Sequence, residues 1–574
     1  MGDGKMEAGR DAKVPRRRCW AGAGASAAAV SLVLSGCTTG GGGPDGEDGY
    51  STDTMRVALM ADPNSFLPTE YTALSSLITG HLLYATLLYG DEDNTTVPGL
   101  ASEYEVDPHG GEFTIREDAT CADGTPLTPT VVADSLEAFA AASTVKEVVF
   151  GKGDPVIEAD DEAGVVSISL SEPWADMERG LALTQTGIVC PAGLADPEGT
   201  AAGEVEGAFS GGYVLAGHQP GVSVDLELRE EGFTFPEYAV PLEGVPPQKV
   251  AYSIMSDYNA VANGLLTDTL DYSTVNGEAM ARVTEEEGFT TSRYAGASMF
   301  IVFNQREGMP MADAETRRAV AQAVGREAFN DAATDGEGEL LSSYVPAGVP
   351  CAHTGDEGLI AQDAEAASAV LDGLSLNVFG TTSSGPNGAG NSYVAQALEA
   401  AGAEVSVRSV DDTTWATELA TRPESWDLTV YPQLNLPRTQ YSGLAQLIGP
   451  LPEQGGQNSS GAERPETEAL VGEAMAQPDE EARCAVYEEI QTSLLDDAAF
   501  VPLATLPTQV TTREGFSIRQ YRGYVPTISM RITGWAGHAG LRATEVRDPP
   551  PRLPPRPLPA AARGRGRRPA RARR

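Results

Sequence analysis

Four cysteines in the body of the chain, Cys121, Cys190, Cys351 and Cys484, are the side chains whose type and spacing most readily suggest covalent chemistry. Four thiols allow three pairings, and none of the four has the Cys-x-x-Cys spacing of a metal or redox site. We favour disulfide bonds between Cys121 and Cys190 and between Cys351 and Cys484, since each bond then stays within one half of the chain. Four buried free thiols are the alternative. An extracytoplasmic location would permit both bonds.

The N-terminal segment has the layout of an export signal that ends at Cys37. A basic stretch, Lys13 to Arg18, precedes an apolar stretch, Ala21 to Leu34, and small residues follow. The apolar stretch is too short for a membrane-spanning helix, which needs about 20 residues. The segment Leu34-Ser35-Gly36-Cys37 is similar to a bacterial lipobox, in which the cysteine receives a diacylglycerol and becomes the new N-terminus. An ordinary signal peptide with a thiol at Cys37 is the alternative.

Both ends of the chain are therefore expected to lie outside the folded body. We predict a signal peptide over residues 1–36, then the lipidated Cys37 and a Gly-rich flexible linker over residues 37–54. At the other end, residues 547–574 are dominated by Pro, Ala and Arg, and such a composition predicts a disordered basic tail.

The sequence lacks the motifs typical of an enzyme. Its five histidines are scattered without His-x-x-x-His spacing, and there is no Gly-x-Ser-x-Gly nucleophile elbow. Residues 385–390 are Gly-rich but contain no lysine, which favours a flexible loop over a phosphate-binding loop. We expect no catalytic residue, no metal site and no cofactor.

The charge of the chain restricts its partners. The formal net charge is −43, and residues 37–546 hold 23 basic and 78 acidic side chains, a net charge of −55. Such a body does not bind nucleic acid or an anionic membrane surface through electrostatics. We interpret the acidic surface as solubilising. Outside the N-terminal signal no apolar run could span a membrane, so any attachment depends on Cys37.

Hydrophobic patterning predicts an α/β body that is long enough for two or more lobes. Strand patterns alternate with amphipathic helix patterns in the second half of the body, a rhythm that predicts a parallel sheet covered by helices. The predicted strands are 55–59, 113–115, 165–170, 300–303, 376–378, 404–407 and 426–431, and the predicted helices are 314–324, 364–371, 393–401 and 485–495, with a further helical pattern between Leu74 and Leu88.

Four blocks of sequence carry a resemblance to a known family. In chain order they are LLY (87–89), PGLA (98–101), FTIR (113–116), ADGTPLT (122–128) and ADS (133–135); GGY (211–213); VFN (302–304) with RRA (317–319) and AVGR (323–326); and YEEIQ (487–491) with VPL (501–503). Through their order and spacing the chain resembles the extracytoplasmic solute-binding lipoproteins of ABC transporters, in the family of dipeptide-, oligopeptide- and nickel-binding proteins (family 5). The second block departs from the pattern, since the family more often has Gly-Thr-Gly-Pro-Tyr there.

The resemblance implies a two-lobed periplasmic-binding-protein-like α/β fold of type II, with an extra subdomain inserted in lobe I. Lobe I would comprise residues 55–98 and 210–303, and the inserted subdomain residues 99–209. Lobe II would comprise residues 304–507, and residues 508–546 would return to lobe I. In such a fold the lobes close over a ligand by hinge bending.

The resemblance also points to residues that could line the cleft between the lobes. The strand that crosses to the second lobe suggests Phe303 and Asn304, and the loop after the first strand suggests Asn64 and Ser65. Trp415 could stack on a ligand, although such a Trp is more often packed or partly exposed on its helix.

The loop after Tyr431 is the third candidate region. The peptide binders of the family usually carry a Trp and then an Asp there, and that Asp pairs with the α-amino group of the peptide. Here Gln433, Asn435 and Arg438 are the polar side chains, and no acid is present. Because an amide cannot neutralise a buried ammonium group, peptide capture by that route is in doubt.

The function implied by the resemblance is capture of a peptide or similar small solute and its delivery to the permease subunits of an ABC importer, whose separate ATPase would drive transport. The protein would be anchored by lipid on the extracytoplasmic face of the cell membrane. The alternatives are a binder of non-peptide solutes, such as a metal chelate or a sugar, and a signalling receptor lipoprotein with the same fold.

Overall fold

The computed structural model describes residues 52–284, 286–520 and 525–533. The predicted signal peptide, Cys37, most of the linker, the end of the predicted return segment and the tail at 547–574 lie outside these residues.

Eighteen strands are present in the described ranges. In chain order they are β1 (Thr54–Leu59), β2 (Leu88–Gly90), β3 (Thr96–Pro98), β4 (Ala101–Asp107), β5 (Gly110–Ile115), β6 (Val156–Asp160), β7 (Val165–Ser169), β8 (Tyr213–Gln219), β9 (Ser223–Leu228), β10 (Lys249–Ile254), β11 (Tyr272–Val275), β12 (Phe289–Phe303), β13 (Ser375–Thr381), β14 (Glu404–Val410), β15 (Leu428–Gln433), β16 (Phe500–Arg513), β17 (Phe516–Ser517) and β18 (Arg531–Ile532).

The α-helices of the same ranges are α1 (Leu74–Leu83), α2 (Pro129–Ala142), α3 (Lys146–Phe150), α4 (Met177–Gly180), α5 (Pro191–Ala195), α6 (Pro197–Ala201), α7 (Tyr258–Leu266), α8 (Glu278–Thr284), α9 (Ala314–Ala323), α10 (Arg326–Thr334), α11 (Ala364–Leu371), α12 (Ala389–Ala400), α13 (Asp412–Thr421), α14 (Gln440–Leu444), α15 (Pro465–Met475) and α16 (Glu480–Asp496). In these ranges no helix combines the length and the hydropathy that crossing a bilayer requires.

The helical pattern between Leu74 and Leu88 forms a shorter helix than its spacing predicts. Helix α1 ends at Leu83 because Tyr84 adopts an extended backbone, with φ −127° and ψ 134°. The remaining apolar residues then lead into β2, which pairs antiparallel with β3.

A ten-stranded mixed sheet organises the body, in the order β14-β13-β15-β12-β16-β11-β1-β10-β9-β8. The strands on one side of β12 and β16 come from the second half of the chain, and those on the other side come from the first half. Strands β12 and β16, of 15 and 14 residues, pair with each other and contact both groups. The two halves are therefore joined through two long central strands.

Helices cover both faces of the sheet in the second half. Ile301 and Phe303 of β12 belong to a core with α9, α10, α11 and α12, whereas Phe300 and Val302 belong to a second core with α14, α15 and α16. This alternation follows from the two-residue period of a strand. Because both faces are buried, the strand has the continuous apolar run Phe300–Phe303 rather than an alternating pattern.

The segment 99–209 contains its own antiparallel sheet, in the order β4-β5-β7-β6. Helix α2 packs beside this sheet and begins after Thr128, whose side chain accepts a hydrogen bond from the backbone N–H of Val131. Phe113 and Phe139 of this segment belong to the same core as α14–α16. The segment thus shares a core with the second half of the chain.

Both disulfide bonds of the structure join the cysteines that the sequence favours as pairs. Cys121 is bonded to Cys190 within the 99–209 segment, and Cys351 is bonded to Cys484 of α16. The Cα atoms are 6.0 Å and 4.6 Å apart, within the range that disulfides span.

Candidate functional site

Two sets of parallel strands end on opposite sides of a gap in the middle of the large sheet. Strands β1, β10 and β11 run parallel in the first half. Strands β13, β14 and β15 run parallel in the second half. Because β12 is parallel to β11 and antiparallel to β15, the carboxyl ends of the two sets point toward each other.

The register along β12 measures the gap. Val275, the last residue of β11, and Arg293 of β12 both pair with Gln509, so the first set ends level with Arg293. Gln433, the last residue of β15, pairs with Ser298. Five residue steps of about 3.3 Å each separate Arg293 from Ser298, or about 16 Å. In open α/β sheets ligands bind outside the carboxyl ends of the strands, so this gap, which we call the strand-end cleft, is the candidate site.

The segment of β12 that crosses the cleft is irregular. Its pairing with β16 shifts between Ala295 and Ala297, which leaves Gly296 without a partner in a β-bulge. A Cβ atom at Gly296 would lie 2.2 Å from Oγ1 of Thr508. Only glycine allows the two crossing strands to approach this closely.

The loop after β1 forms one wall, and its polar groups are largely bonded to each other. Oδ1 of Asn64 accepts hydrogen bonds from Ser76 Oγ at 2.9 Å and from the backbone N–H of Ala73 at 2.9 Å. The Ser65 hydroxyl donates to Oε2 of Glu70 at 2.9 Å. Asn64 remains exposed to solvent, whereas Ser65 is buried. Both predicted residues lie in the loop that follows β1, at the carboxyl end of the first set of strands, and they hold that loop together. Their role in lining the cleft stays a prediction.

Two further side chains of this wall were not singled out from the sequence. Tyr258 begins α7 shortly after β10, and Asn276 directly follows β11. Nδ2 of Asn276 donates to the Tyr258 hydroxyl at 3.3 Å. Oδ1 of Asn276 is buried and has no hydrogen-bond partner within the described ranges. Burial raises the pKa of Tyr258 to about 12, and the negative charge of Asp412 adds to the rise.

The opposite wall is built from the ends of β13 and β14. The carboxylate of Asp412, at the start of α13, accepts hydrogen bonds from the hydroxyls of Thr381 and Ser383, the second at 2.9 Å. A Cβ atom at Gly277 would lie 3.8 Å from Cγ of Pro386, so the two walls approach each other here. The electrostatic effect of Asp412 on Tyr258 comes from across the cleft.

The end of β15 and the loop that follows it supply three of the predicted residues. Nε2 of Gln433 donates to the backbone oxygen of Ser442 at 3.1 Å. Asn435 and Thr439 form a reciprocal pair, in which Nδ2 donates to the Thr439 oxygen at 2.8 Å and Oδ1 accepts from the Thr439 N–H at 3.1 Å. Arg438 donates from Nη2 to the backbone oxygen of Gly348 at 2.6 Å. These side chains fix the shape of the loop at the rim of the cleft.

The other three predicted residues lie deeper in the second half. Nε1 of Trp415 donates to Oγ1 of Thr429 at 3.1 Å, and its ring is fully packed against Tyr431, with centroids 4.9 Å apart. Phe303 ends β12, five residues beyond Ser298, in the core. Nδ2 of Asn304 donates to the backbone oxygens of residues 423 and 426 at 2.6 and 2.9 Å. Phe303 and Asn304 lie at the amino end of β15, away from the cleft. Trp415 lies one turn after Asp412 on α13 and is buried behind the second wall.

No strand is predicted from the sequence directly before Asn276, and the predicted strand 404–407 ends five residues before Asp412, whereas β14 extends to Val410. The length of β12 and the pairing partners of β11 and β14 were not visible in the sequence either. A search for polar residues after every predicted strand could have found Asp412. Among the described residues no group of three or more His, Cys, Asp or Glu side chains is placed to hold a metal ion. The cleft therefore offers neutral and acidic hydrogen-bonding groups beside aromatic rings, an arrangement that suits binding of a small organic solute.

Comparison with known proteins agrees with this geometry. The sequence model of the bacterial extracellular solute-binding proteins, family 5 (middle part), matches residues 95–439. The probable D,D-dipeptide-binding periplasmic protein DdpA of Escherichia coli (strain K12) is 24% identical over 314 residues. That alignment covers 52% of this chain, which spans only 58% of the length of DdpA.

Two solved structures share the fold over most of the chain. A substrate-binding protein from Microbacterium hydrocarbonoxydans, complexed with 4-hydroxybenzoate hydrazide, is 39% identical, with a TM-score of 0.78 over 84% of this chain and 100% of that one. The binding protein AgaA of A. tumefaciens R10, in complex with agropinic acid, is 20% identical, with a TM-score of 0.72 over 83% of this chain and 98% of that one. The second likeness concerns the fold alone.

Proposed function

Because the chain belongs to family 5 of the bacterial extracellular solute-binding proteins, we propose that it captures a small solute in the strand-end cleft and delivers it to the permease subunits of an ABC importer. The observation that carries this proposal is the pair of strand sets whose carboxyl ends face each other across about 16 Å, joined only through β12 and β16 within the sheet. Two bodies connected in this way can rotate about the crossing strands.

Binding and closure are coupled in this proposal. A solute stabilises the closed form only by its greater affinity for that form, and a micromolar ligand supplies about 8 kcal/mol in total. The Gly296 bulge and the neighbouring residues of β16 are the proposed hinge, and residues 304–507 are the proposed second lobe. The 99–209 segment is the proposed inserted subdomain.

We propose a small aromatic acyl compound without a free carboxylate as the class of solute. The relative with 39% identity was solved with 4-hydroxybenzoate hydrazide. The loop after β15 contains no acidic side chain that could pair with a peptide α-amino group, and Thr439 takes both hydrogen-bonding ends of Asn435. The walls of the cleft instead carry Tyr258, Asn276 and Asp412. Asn64, Ser65, Gln433 and Arg438 remain proposed rim residues.

Peptide capture is the second candidate. It is favoured by the similarity to DdpA, whose name describes it as a probable D,D-dipeptide-binding protein. The two candidates differ in the group that the solute presents, since a peptide brings a charged amine and a carboxylate while a hydrazide brings neither at neutral pH.

Isothermal titration of the soluble body, residues 38–546, against 4-hydroxybenzoate hydrazide, dipeptides, sugars and nickel chelates tests the proposal. We expect micromolar binding of the aromatic hydrazide and little binding of free dipeptides. Tight binding of dipeptides with none of the hydrazide would reverse the order of the two candidates. If no compound of any class binds and scattering detects no compaction, the capture function itself is wrong.

The proposed lipid anchor rests on the sequence around Cys37 alone. In a native-like bacterial host, labelled palmitate should attach to the wild-type protein and not to a Cys37→Ala variant, which should be released from the membrane. Equal labelling of the two forms would contradict the assignment of Cys37.

A further inference from the structure

We propose that Tyr258 and Asn276 together recognise an acyl amide or acyl hydrazide group of the solute. This inference rests on the proposed function, because it concerns the same cleft. It adds to that function the chemical group of the solute that the cleft recognises.

The position of the two residues is the first argument. Tyr258 follows β10 and Asn276 follows β11, so both stand at carboxyl ends of the first set of strands. Their side chains are joined by the 3.3 Å hydrogen bond from Nδ2 to the phenol oxygen. A ligand that lies against these strand ends meets the two groups side by side.

The second argument is the hydrogen bond that Asn276 does not make. Its Oδ1 atom is buried and has no hydrogen-bond partner among the described residues, a property that it shares with several other buried side-chain atoms of those ranges. Buried polar atoms in native proteins nearly always have a partner, so an exception calls for a bound group or water. Asn276 stands where a ligand is expected, and its oxygen needs a donor such as an N–H.

The third argument is the complementary donor. The Tyr258 oxygen accepts from Asn276, and its own proton has no acceptor among the hydrogen bonds of the described residues. Like an ordinary tyrosine this phenol is protonated at neutral pH, and burial raises its pKa further, to about 12. The pair therefore presents one O–H donor beside one carbonyl acceptor. An acyl amide or hydrazide has the matching oxygen acceptor beside its N–H donor, whereas a carboxylate has no donor for Oδ1 of Asn276.

The opposite wall supports the same selection. The Asp412 carboxylate faces Tyr258 from the start of α13 and is held by Thr381 and Ser383. A negative charge at this place repels a carboxylate ligand and attracts N–H donors. Acyl amides and hydrazides satisfy both walls.

The test uses three ligands that differ in one group, namely 4-hydroxybenzoate hydrazide, 4-hydroxybenzamide and 4-hydroxybenzoate. Their dissociation constants are measured by isothermal titration at pH 7 on the soluble body and on three variants. Tyr258→Phe removes only the hydroxyl, and Asn276→Ala removes the amide. Asn263→Ala serves as the matched control, because it removes an exposed amide of α7 whose oxygen accepts a hydrogen bond from Arg282 of α8.

We expect the wild type to bind the hydrazide and the amide at least about tenfold more tightly than the carboxylate. Tyr258→Phe and Asn276→Ala should each weaken the two neutral ligands about tenfold and reduce the discrimination against the carboxylate, while Asn263→Ala behaves as the wild type. Circular dichroism checks that each variant is folded. If Asn276→Ala does not fold, the test relies on Tyr258→Phe, which keeps the packing of the ring.

The results separate this inference from the function on which it rests. If the wild type binds the neutral ligands and both variants bind them equally well, the Tyr258–Asn276 assignment is overturned while solute capture stands. If the wild type prefers the carboxylate, or binds only compounds of another class, the assignment of the acyl group is overturned as well.

Discussion

At the scale of single residues, several polar side chains around the cleft form hydrogen bonds within their own loops. Asn435 satisfies both the N–H and the oxygen of Thr439, and Asn64 closes the loop after β1 in the same manner. Asparagine is suited to this task because its short amide can pair with nearby backbone groups. Asn276 differs, since its carbonyl oxygen is buried and no described residue donates a hydrogen bond to it.

A buried charge network around Asp271 stabilises the first half of the sheet. The Asp271 carboxylate is inaccessible to solvent and accepts from Nε and Nη2 of Arg56, at 2.8 and 2.5 Å, while Arg513 lies 3.3 Å away. Asp271→Asn removes the buried carboxylate that the two arginines share, so we expect the free energy of unfolding to fall by about 3 kcal/mol. Urea denaturation measures it. Asp268→Asn is the matched control, because the exposed Asp268 pairs with the same Arg513. This substitution should lower the free energy of unfolding by less than about 1 kcal/mol. Equal losses in the two variants would contradict the role of the buried network.

Because of the buried His81, we expect the free energy of unfolding to fall in acid. Burial lowers the pKa of His81 to about 3, whereas an unfolded chain would titrate this group near 6.5. Between these values the unfolded state binds a proton that the folded state does not, so stability decreases as the pH falls below about 6.5. The loss should be about 2 kcal/mol between pH 7 and pH 5.

Urea denaturation at the two pH values checks this expectation on wild type, His81→Gln and His109→Gln. His81→Gln should lack that part of the acid sensitivity, and His109→Gln, changed at an exposed site, should keep it. A wild-type pH dependence in the His81 variant would assign the effect to carboxylates instead.

At the scale of elements, the crossing strands β12 and β16 determine where the cleft lies. They continue the sheet of the first half into the sheet of the second, and the bulge at Gly296 interrupts their pairing within the gap. A bulge bends a strand and weakens its local ladder. For this reason the bulge is the proposed hinge between the two halves.

Gly296→Ala should therefore impair closure. The added methyl group would lie 2.2 Å from Oγ1 of Thr508, so the two strands must separate at the hinge. We expect a fall of about 2 kcal/mol in stability and a smaller ligand-induced decrease of the radius of gyration, measured by urea denaturation and small-angle scattering. Gly472→Ala in α15 is the control, since a Cβ there meets no atom within 4 Å and should raise stability by about 0.5–1 kcal/mol. An unchanged scattering response in Gly296→Ala would place the hinge elsewhere.

At the scale of the whole molecule, the 99–209 segment contacts the second half directly. The Trp174 ring meets the Tyr441 ring edge-on at 4.7 Å, and the N–H of Ala175 donates to the oxygen of Met475 at 3.2 Å. Lys152 and Glu468 form an ion pair at 2.6 Å. If the two halves rotate about β12 and β16, these contacts belong to the closed form and must separate on opening.

A charge exchange tests this interface without disturbing a core. Lys152→Glu places two like charges together and should favour the open form, so we expect the apparent dissociation constant to rise about threefold. Titration of the double variant Lys152→Glu, Glu468→Lys should give a value near that of the wild type. A double variant as weak as the single one would mean that the ion pair does not influence closure.

Local sequence patterns were sufficient for the individual elements. The predicted helix 364–371 is α11, and the predicted strand 165–170 is β7 to within one residue. The β-α-β rhythm of the second half predicts the parallel pairing of β13 and β14. Periodicity reports which face of a segment is buried, and that requirement acts over a few residues, so it can be read without knowing the neighbours.

The cleft itself was decided by tertiary structure. The sequence shows a four-residue apolar run at 300–303, but only pairing with β16 extends this run into a 15-residue strand. That strand separates the two sets of strand ends by five residues, a distance of about 16 Å. Trp415, Asn304 and Asn435 look available in the sequence, yet each has its partner in the fold. Whether a polar group is free to bind a solute depends on residues far away along the chain, and those contacts exist only once the sheet has assembled.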